Sequence, residues 1–331
     1  MAAKKILVVA VGTGGTQRNI IQNPGDDLSR FRRTILRGLV AELGKKHTPY
    51  NHFNIDYVQD QPGKDLAASV AHAIDAPPPD LIFPIGSSAR TAAQRWTKQY
   101  PTVFVAISDP AEDDAVDSLR NPGRNATGVC TCLRQTAHIC LQRFVNNVRF
   151  VKNGQQLKTV LALHQPFFPP VVRAMPDLRR TATTLGVEFE PLIVWNGAHL
   201  NEILSELSTI GAAPRGLLMV PDDLVASEGQ NVIKRAHDQG ISTFVPQLEF
   251  VQLDAKNPQK PCALGAFGIL GDTAGQEAAE LVEAVLWGGQ NAGVLPVKEL
   301  DDEKKYFQFW WNNEVAKLLG CRELRAREIT M

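Results

Sequence analysis

Residues 80–110 have the sequence DLIFPIGSSARTAAQRWTKQYPTVFVAISDP, in which two apolar runs flank a more polar stretch. The runs at 81–85 and 102–107 are typical of buried strands, and 88–100 between them is predicted to be a helix. A strand, a helix and a second strand in this order indicate two parallel strands of one sheet, with a helix packed on its face.

The same alternation extends from this stretch towards both ends of the chain. On the N-terminal side we predict strands at 4–11 and 53–58 and helices at 28–43 and 65–74. On the C-terminal side a second series is predicted, with strands at 157–163, 187–194, 216–220, 243–245 and 263–269 and helices at 170–185, 200–210, 227–239 and 273–287. Two successive series of this kind predict two parallel α/β sheets.

The chain is 331 residues long, which favours two lobes over one compact core. The polar segment at 113–128, which contains NPGRNATG, is where we predict the first passage between lobes. We expect lobe 1 to comprise residues 1–127 and 262–292, and lobe 2 to comprise residues 128–261 and 293–331. The predicted fold class is α/β, with two Rossmann-like lobes whose parallel sheets are flanked by helices, joined by crossovers around a ligand cleft.

Charge and hydropathy exclude several classes of function. Lys plus Arg and Asp plus Glu number 35 each, so no net field attracts nucleic acid, and no nucleic-acid partner is expected. Apolar residues make up 44% of the sequence and charged residues 21%, a balance typical of a folded globular protein. No apolar run approaches the roughly 18 residues that a membrane span needs.

The cysteines do not predict a disulfide framework, because there are five and an odd number cannot pair fully within one chain. Cys130, Cys132 and Cys140, together with His138, would offer metal-binding atoms, but without paired C-x-x-C spacing. The favoured interpretation is small buried side chains on a strand and the following helix. We expect no metal and no cofactor.

Candidate binding residues follow the predicted strands, since open parallel sheets bind ligands at the carboxyl ends of their strands. Gly86, Ser87, Ser88 and Ala89 join a strand to a helix, where hydroxyls and free main-chain N–H groups favour an anion. The lack of a P-loop lysine favours a carboxylate over a polyphosphate. A helix-capping role for either serine is the alternative.

Further candidates lie at other strand ends. In the first lobe Ser108 and Asp109 follow a strand, and Asp109 would either accept a hydrogen bond from a ligand ammonium or cap the next turn. In the second lobe Gln165 and Phe167 follow one strand, and Asp222 follows another, where it would hold an amine or cap a helix. The remaining ligand-binding candidates are Gly14 and Phe267.

Enzyme motifs are not found. The loop GTGG at 12–15 matches a dinucleotide fingerprint only weakly, because Gln17 holds the place of the third glycine. No G-x-S-x-G elbow, H-E-x-x-H pair or convincing set of nucleophile, base and orienting residue is present. We therefore expect a binding protein without catalytic residues, rather than an enzyme.

Five stretches carry a wider resemblance: DLIFPIGSSARTAAQ, PTVFVAISDPAEDDAVDSLRNPGRNATGV, LMVPDDLVAS, ALGAFGILGDTAGQEAAELVEAVLWGG and VLPVKEL. Together they resemble the substrate-binding proteins of ABC transporters, which have a type I periplasmic-binding-protein-like fold. The resemblance implies a carrier that delivers a small ligand to membrane permease and ATPase subunits, with relatives that bind amino acids, notably aromatic ones. It assigns Ser87, Ser88, Ala89 and Asp109 to the first-lobe side of the site and Asp222 to the second.

The resemblance also implies a periplasmic or membrane-associated extracytoplasmic protein, and we expect a monomer or weak dimer. MAAKKILVVAVG lacks the pattern of an export signal, so either the signal has been removed or the protein is cytoplasmic. A ligand-sensing receptor with the same fold is the alternative function. A DNA-binding regulator would need a DNA-binding segment before Lys4. The stretches CTCLRQTAHIC and FQFWWNNEVAKLLG depart from the family's pattern.

Overall fold

The computed structural model describes residues 3–11, 30–49, 51–59, 65–75, 77–131, 133–148, 150–151, 155–211, 214–220, 227–251, 261–321 and 323–324. The chain forms two compact units. Unit 1 comprises Met1–Cys132 and Leu270–Asp302, and unit 2 comprises Leu133–Ile269 and Glu303–Met331. None of the helices in this described part combines the length and the apolar character that crossing a membrane requires.

The strands and helices alternate along most of the chain. The strands are β1 (Lys4–Ala10), β2 (Phe53–Gln59), β3 (Leu81–Ile85), β4 (Thr102–Ile107), β5 (Ala126–Cys130), β6 (Phe150–Val151), β7 (Gln155–Gln156), β8 (Thr159–His164), β9 (Glu188–Ile193), β10 (Arg215–Met219), β11 (Ser242–Val245), β12 (Gly265–Ile269), β13 (Lys298–Glu299) and β14 (Phe307–Trp311). The α-helices are α1 (Arg30–Gly44), α2 (Leu66–Asp75), α3 (Ser87–Ala93), α4 (Leu133–Asn147), α5 (Pro169–Thr184), α6 (Gly197–Glu206), α7 (Gly229–Asp238), α8 (Gly271–Leu286), α9 (Glu303–Tyr306) and α10 (Asn313–Leu319).

Unit 1 is built on a parallel sheet with strand order β13-β5-β4-β3-β1-β2. Its central strands are continuous apolar runs because both faces are covered: β3 is buried along its whole length, as a parallel strand between helical layers must be. On one face, α2 and α3 pack against side chains of β1 and β3. On the other, α1 packs closely against α8.

The packing of α1 on α8 depends on glycine. A Cβ added at Gly275 would lie 2.0 Å from the carbonyl oxygen of Ile35, and one added at Gly38 would lie 2.0 Å from that of Asp272. The two backbones therefore approach more closely than any larger residue allows. An ion pair crosses the same contact, since Arg37 Nε donates to Asp272 Oδ1 at 2.8 Å.

Unit 2 repeats the architecture, with strand order β14-β12-β11-β10-β8-β9 and only the edge strand β14 antiparallel. Its sheet also lies between two layers of helices. One core cluster joins the sheet to α4, α5 and α10, and a second joins the opposite face to α6 and α7. A small antiparallel pair, β6 with β7, lies outside this sheet. The prediction of two mostly parallel α/β sheets flanked by helices is confirmed.

The structure differs from the pattern-based expectation in several details, among them β5, α4 and β14, which were not predicted. The helix predicted at 88–100 ends at Ala93 and continues only as a single 3-10 turn, Gln94–Trp96. The strand expected to open the return to the first lobe is β12, which pairs with β11 and β14 in unit 2. The chain re-enters unit 1 with α8 and stays there through β13, which pairs with β5. Apolar patterning identifies a buried strand but not the sheet it joins.

The NPGRNATG segment is held by main-chain conformation and by a buried hydroxyl. Gly123, Arg124 and Asn125 adopt positive φ angles of 62°, 50° and 52° in succession. Thr127 follows on β5, fully buried, and its Oγ1 donates to the carbonyl oxygen of Leu295 at 2.8 Å. The segment therefore anchors the 291–297 connection to unit 1.

Candidate functional site

The turn between β3 and α3 contains the glycine and the two serines predicted to bind a ligand. Gly86 has φ 90° and ψ 162°, a conformation that residues with a Cβ rarely adopt, and its N–H donates to the carbonyl oxygen of Val105 at 2.9 Å. This bond ties the turn to the neighbouring strand β4. The chain can therefore turn directly from the carboxyl end of a buried strand into a helix.

Ser87 is the first residue of α3. The Oγ atom is enclosed but has no hydrogen-bond partner among the described residues, while the Ser87 carbonyl accepts a bond from Thr91 Oγ1 at 3.0 Å. The first N–H groups of a helix also have no acceptor within the helix. Ser88 is half-buried and Ala89 is fully buried against the core. The Ser87 hydroxyl is thus a donor without an acceptor among the described residues.

The end of β4 lies beside this turn. Ala106 has a positive φ of 59°, and the register between β4 and β5 shifts there, which changes the direction of the strand end. Ser108 is buried, and its carbonyl oxygen accepts a bond from Cys130 Sγ at 3.0 Å. Asp109 is half-buried, and its carbonyl oxygen accepts from the Asp113 N–H at 2.8 Å. The structure therefore brings two of the predicted site segments to one edge of the sheet.

A buried arginine lies behind the Gly86–Ala89 turn. Arg90 donates from Nη1 to the carbonyl oxygen of Asp113 at 3.1 Å and from Nη2 to that of Asp114. Burial lowers the pKa of the Arg90 guanidinium, but an arginine remains protonated at physiological pH. Arg90 therefore connects the helix that carries Ser87 to the loop that follows Asp109.

The predicted residues after β8 occupy the corresponding edge of unit 2. His164 is buried at the strand end, with Nδ1 3.0 Å from the carbonyl oxygen of Gln165, and Gln165 is half-buried. Phe167 is 60% exposed. Its ring centroid lies 5.5 Å from that of Trp195, and the two planes meet at 61°.

Trp195 is missing from the residues predicted from sequence. It is 54% exposed and follows β9, the strand next to β8. Trp195, like Phe167, is an aromatic residue between the end of a strand and the start of a helix. This shared position was a local signal that could have added Trp195 to the predicted residues. The contact between the two rings is seen only in the tertiary structure, where β8 pairs with β9.

Other predicted residues are placed differently or lie outside the described part. Phe267 is 4% exposed; its ring stacks on Phe307 at 5.3 Å and lies 5.9 Å from the Arg143 guanidinium carbon, so packing within unit 2 accounts for it. Gly14 and Asp222 lie outside the described residues.

Two cysteines of the CTCLRQTAHIC stretch lie in the described part of the chain. Cys130 and Cys140 are buried, and burial raises the pKa of the Cys140 thiol strongly. Cys132 lies outside the described residues. Within the ranges that the structure describes, no group of three or more His, Cys, Asp or Glu side chains is arranged to hold a metal ion.

Comparisons with solved structures identify the fold. A conserved domain protein from Vibrio cholerae O1 biovar eltor superposes with a TM-score of 0.76 at 20% identity, over 98% of this chain and 97% of that chain. An ABC domain from Streptococcus pneumonia, solved in complex with L-Trp, superposes with a TM-score of 0.74 at 19% identity, over 96% of this chain and 95% of that chain.

Sequence comparison gives a consistent result. A tyrosine-binding protein of Clostridioides difficile is 23% identical over 316 residues, which is 94% of this chain and 81% of the relative. A family model described as ABC transporter substrate binding protein matches residues 20–321. That match spans far more than half of the chain, and the protein therefore belongs to the ABC transporter substrate-binding protein family, whose members bind substrates and are not enzymes.

Proposed function

We propose that this protein is the ligand-capturing component of an ABC importer and that its ligand is an amino acid or a similar small carboxylate. The observation that carries the proposal is the enclosed, unpartnered hydroxyl of Ser87 at the carboxyl end of a parallel strand. A buried hydroxyl without a partner costs free energy, and a ligand acceptor would remove that cost.

A carboxylate suits this turn for physical reasons. It accepts several hydrogen bonds at once, and the Ser87 hydroxyl and the N–H groups of the first helical turn are all donors. Such bonds to an ionised acceptor are shorter and stronger than those between neutral groups. Asp109, on the next strand end, would then be positioned to accept from the ammonium group of an amino acid.

The ligand class has a second line of support. Two similar proteins, from Clostridioides difficile and Streptococcus pneumonia, are named for binding tyrosine and for a complex with L-Trp. We extend this chemistry to the present chain and propose an aromatic amino acid as ligand. Membership of the family further supports an extracytoplasmic location and delivery to a permease and an ATPase in the membrane.

Isothermal titration of the purified full-length protein with each of the common amino acids tests the proposal. At least one amino acid is expected to bind and to raise the melting temperature by mass action. Ser87→Ala should weaken that binding by roughly tenfold to a hundredfold, the value of one hydrogen bond to a charged group.

The matched control is Ser205→Ala, an exposed serine in α6 whose hydroxyl donates to the carbonyl oxygen of Glu202. This variant should bind like the parent. If Ser87→Ala also binds like the parent, the turn serves as a helix start and not as the carboxylate site. If no amino acid binds the parent, the proposed ligand class is wrong.

A further inference from the structure

The outer face of α5 in unit 2 contains an open groove lined by arginines. The groove has a volume of about 510 Å³, and the residues that line it are Arg173, Pro176, Asp177, Arg179, Arg180 and Thr183. None of them is among the residues that α5 buries against the core. Three cationic side chains stand against one anionic side chain, so the groove has an excess of positive charge. Because Lys plus Arg equals Asp plus Glu over the whole chain, this excess is local.

The charges of these arginines are only partly neutralised. Arg180 pairs with Asp177, one turn earlier on the helix, and its side chain remains 79% exposed. Exposed ion pairs of this kind contribute little free energy, so Arg180 stays available to an external anion. Among the residues that the structure describes, the Arg179 guanidinium pairs with no acid. The groove therefore fits an anionic partner.

Exposed apolar side chains continue this surface towards the start of α5. Val172 lies one helical turn before Pro176 and two turns before Arg179, and residues at these spacings share one face of a helix. Phe167 precedes the N-cap Phe168, a position whose side chain commonly packs on the fourth helical residue, here Val172. Both Phe167 and Val172 nevertheless remain exposed. One surface thus passes from apolar side chains to arginines.

The edge strand β9 adds two more exposed apolar side chains. Ile193 ends β9, and alternation along the strand places it on the same face as Phe189, which packs against the core cluster that includes α5. Trp195 follows two residues later, and its ring centroid lies 5.5 Å from that of Phe167. Four of the six large apolar side chains that are exposed in the described part of the chain therefore lie near the start of α5. Such a concentration marks an interaction surface.

The combination of arginines and exposed aromatic rings matches the surface of a lipid bilayer. A guanidinium binds phosphate oxygens through two parallel hydrogen bonds, and Trp rings are favoured at the level of the lipid headgroups. A free phosphate ion or a purely acidic peptide would pair with the arginines but leave the apolar side chains in water. An anionic bilayer offers phosphate groups and hydrocarbon side by side, so it complements both parts of the surface.

We propose that the outer face of α5, together with Phe167, Ile193 and Trp195, docks unit 2 on a membrane surface that contains anionic phospholipids. The arginines pair with lipid phosphates, and the apolar side chains enter the headgroup region. Docking of this kind is reversible and weakens as the salt concentration rises. The inference goes beyond the proposed function, because it requires no bound amino acid.

Co-sedimentation of the purified full-length protein with vesicles tests the docking surface. The parent should bind vesicles of phosphatidylcholine mixed with phosphatidylglycerol, and should bind vesicles of phosphatidylcholine alone much more weakly. The double variant Arg179→Gln with Arg180→Gln should bind the anionic vesicles roughly thirtyfold more weakly. Each basic residue near an anionic surface contributes roughly a factor of five, and this variant lacks two.

The matched control is the double variant Lys234→Gln with Lys317→Gln. It removes two exposed cations from other helices of unit 2, and each of them, like Arg180, pairs with an acid on its own helix. This control should keep most of the parent's affinity for anionic vesicles. Circular dichroism of both double variants checks that they are folded, which is expected because the replaced side chains are exposed.

The apolar part of the surface has its own readout in Trp195. Anionic vesicles should shift the fluorescence emission of the parent to shorter wavelengths, because the indole of Trp195 leaves water. Trp195→Phe retains the other tryptophans and should bind the vesicles without that shift. Trp195→Ser should weaken vesicle binding by roughly tenfold, the value of transferring one exposed ring from water.

Four results would overturn the proposal. One is equal binding of the parent to both kinds of vesicle, and another is an equal loss of binding in the arginine and lysine double variants, which would reflect charge in general. Displacement from vesicles by glycerol 3-phosphate, but not by sodium sulfate of the same ionic strength, would show that the groove binds free phosphate esters. Binding to poly-L-glutamate but not to anionic vesicles would show that it fits an acidic peptide.

Discussion

The guanidinium of Arg90, only 5% exposed, donates to the main-chain carbonyl oxygen of Asp113 at 3.1 Å. A second bond from the same group reaches the carbonyl oxygen of Asp114. One side chain thus satisfies two acceptors in the loop that follows β4. Because Arg90 comes directly after the Gly86–Ala89 turn, it links the geometry of that turn to the loop containing Asp109.

Replacing Arg90 should therefore destabilise unit 1. Arg90→Met keeps much of the side-chain volume but leaves the two carbonyl oxygens without their donor, and we expect the free energy of unfolding to fall by about 2 kcal/mol or more. Urea unfolding followed by circular dichroism measures this change. Lys98→Met, at an exposed position in the following turn, is the control and should be neutral. Equal unfolding midpoints for the two variants would show that the loop does not depend on Arg90.

The glycine contact between α1 and α8 predicts a large effect from one methyl group. Gly275→Ala places a Cβ 2.0 Å from the Ile35 carbonyl oxygen, so the helices must move apart. Overpacking of this kind should lower the free energy of unfolding by about 2 kcal/mol. Gly44→Ala, at the end of α1 with nothing within 4 Å of the added carbon, should be neutral or slightly stabilising. The two variants are compared by thermal unfolding, and a neutral Gly275→Ala would contradict the close approach.

Thr127 supplies a third test, of the NPGRNATG segment. Thr127→Val preserves the shape but removes the hydroxyl that donates to the Leu295 carbonyl oxygen at 2.8 Å, which should cost about 1–2 kcal/mol of stability. The same substitution at the exposed Thr183 in α5 should cost less. Urea unfolding measures the loss of stability in both variants. Equal losses would mean that the buried hydrogen bond of Thr127 adds nothing to stability beyond the change of residue type.

The half-buried histidine of α7, His237, makes stability depend on pH. Desolvation lowers the pKa of His237 from 6.5 to about 4, and Nε2 lies 3.0 Å from Thr243 Oγ1. In the unfolded chain His237 takes up a proton below about pH 6.5, whereas in the folded protein it stays neutral until the pH nears 4. The contribution of neutral His237 to the free energy of unfolding is therefore complete above about pH 6.5 and is lost as the pH falls towards 4.

Urea unfolding of the parent and of His237→Gln at several pH values measures this linkage. The parent should lose stability relative to the variant by up to about 1.4 kcal/mol per pH unit between those two pKa values. Above about pH 7 the difference between the two proteins should be constant. A difference that stays constant down to about pH 4.5 would show that His237 titrates normally in the folded protein.

Local sequence patterns predicted most of the strands and helices of each unit, although not β5, α4 or β14. Continuous apolar runs such as Leu81–Ile85 predict buried parallel strands because a strand covered by helices on both faces has no polar side. The Gly86–Ala89 turn was also predictable, since a glycine followed by two serines between a strand and a helix is a local signal. These features depend on neighbours in the chain, so one sequence contains the information they need.

Features that depend on contacts between distant residues appeared only in the tertiary structure. Four features depend on which elements pack together. They are the pairing of β12 within the sheet of unit 2, the enclosure of the Ser87 hydroxyl, the burial of Phe267 against Phe307 and the contact of Phe167 with Trp195. Apolar periodicity is the same whether a ring is buried in a core or left at a strand end. The sequence by itself therefore determined most of the elements and their type, whereas packing decided which side chains are buried and which stay exposed.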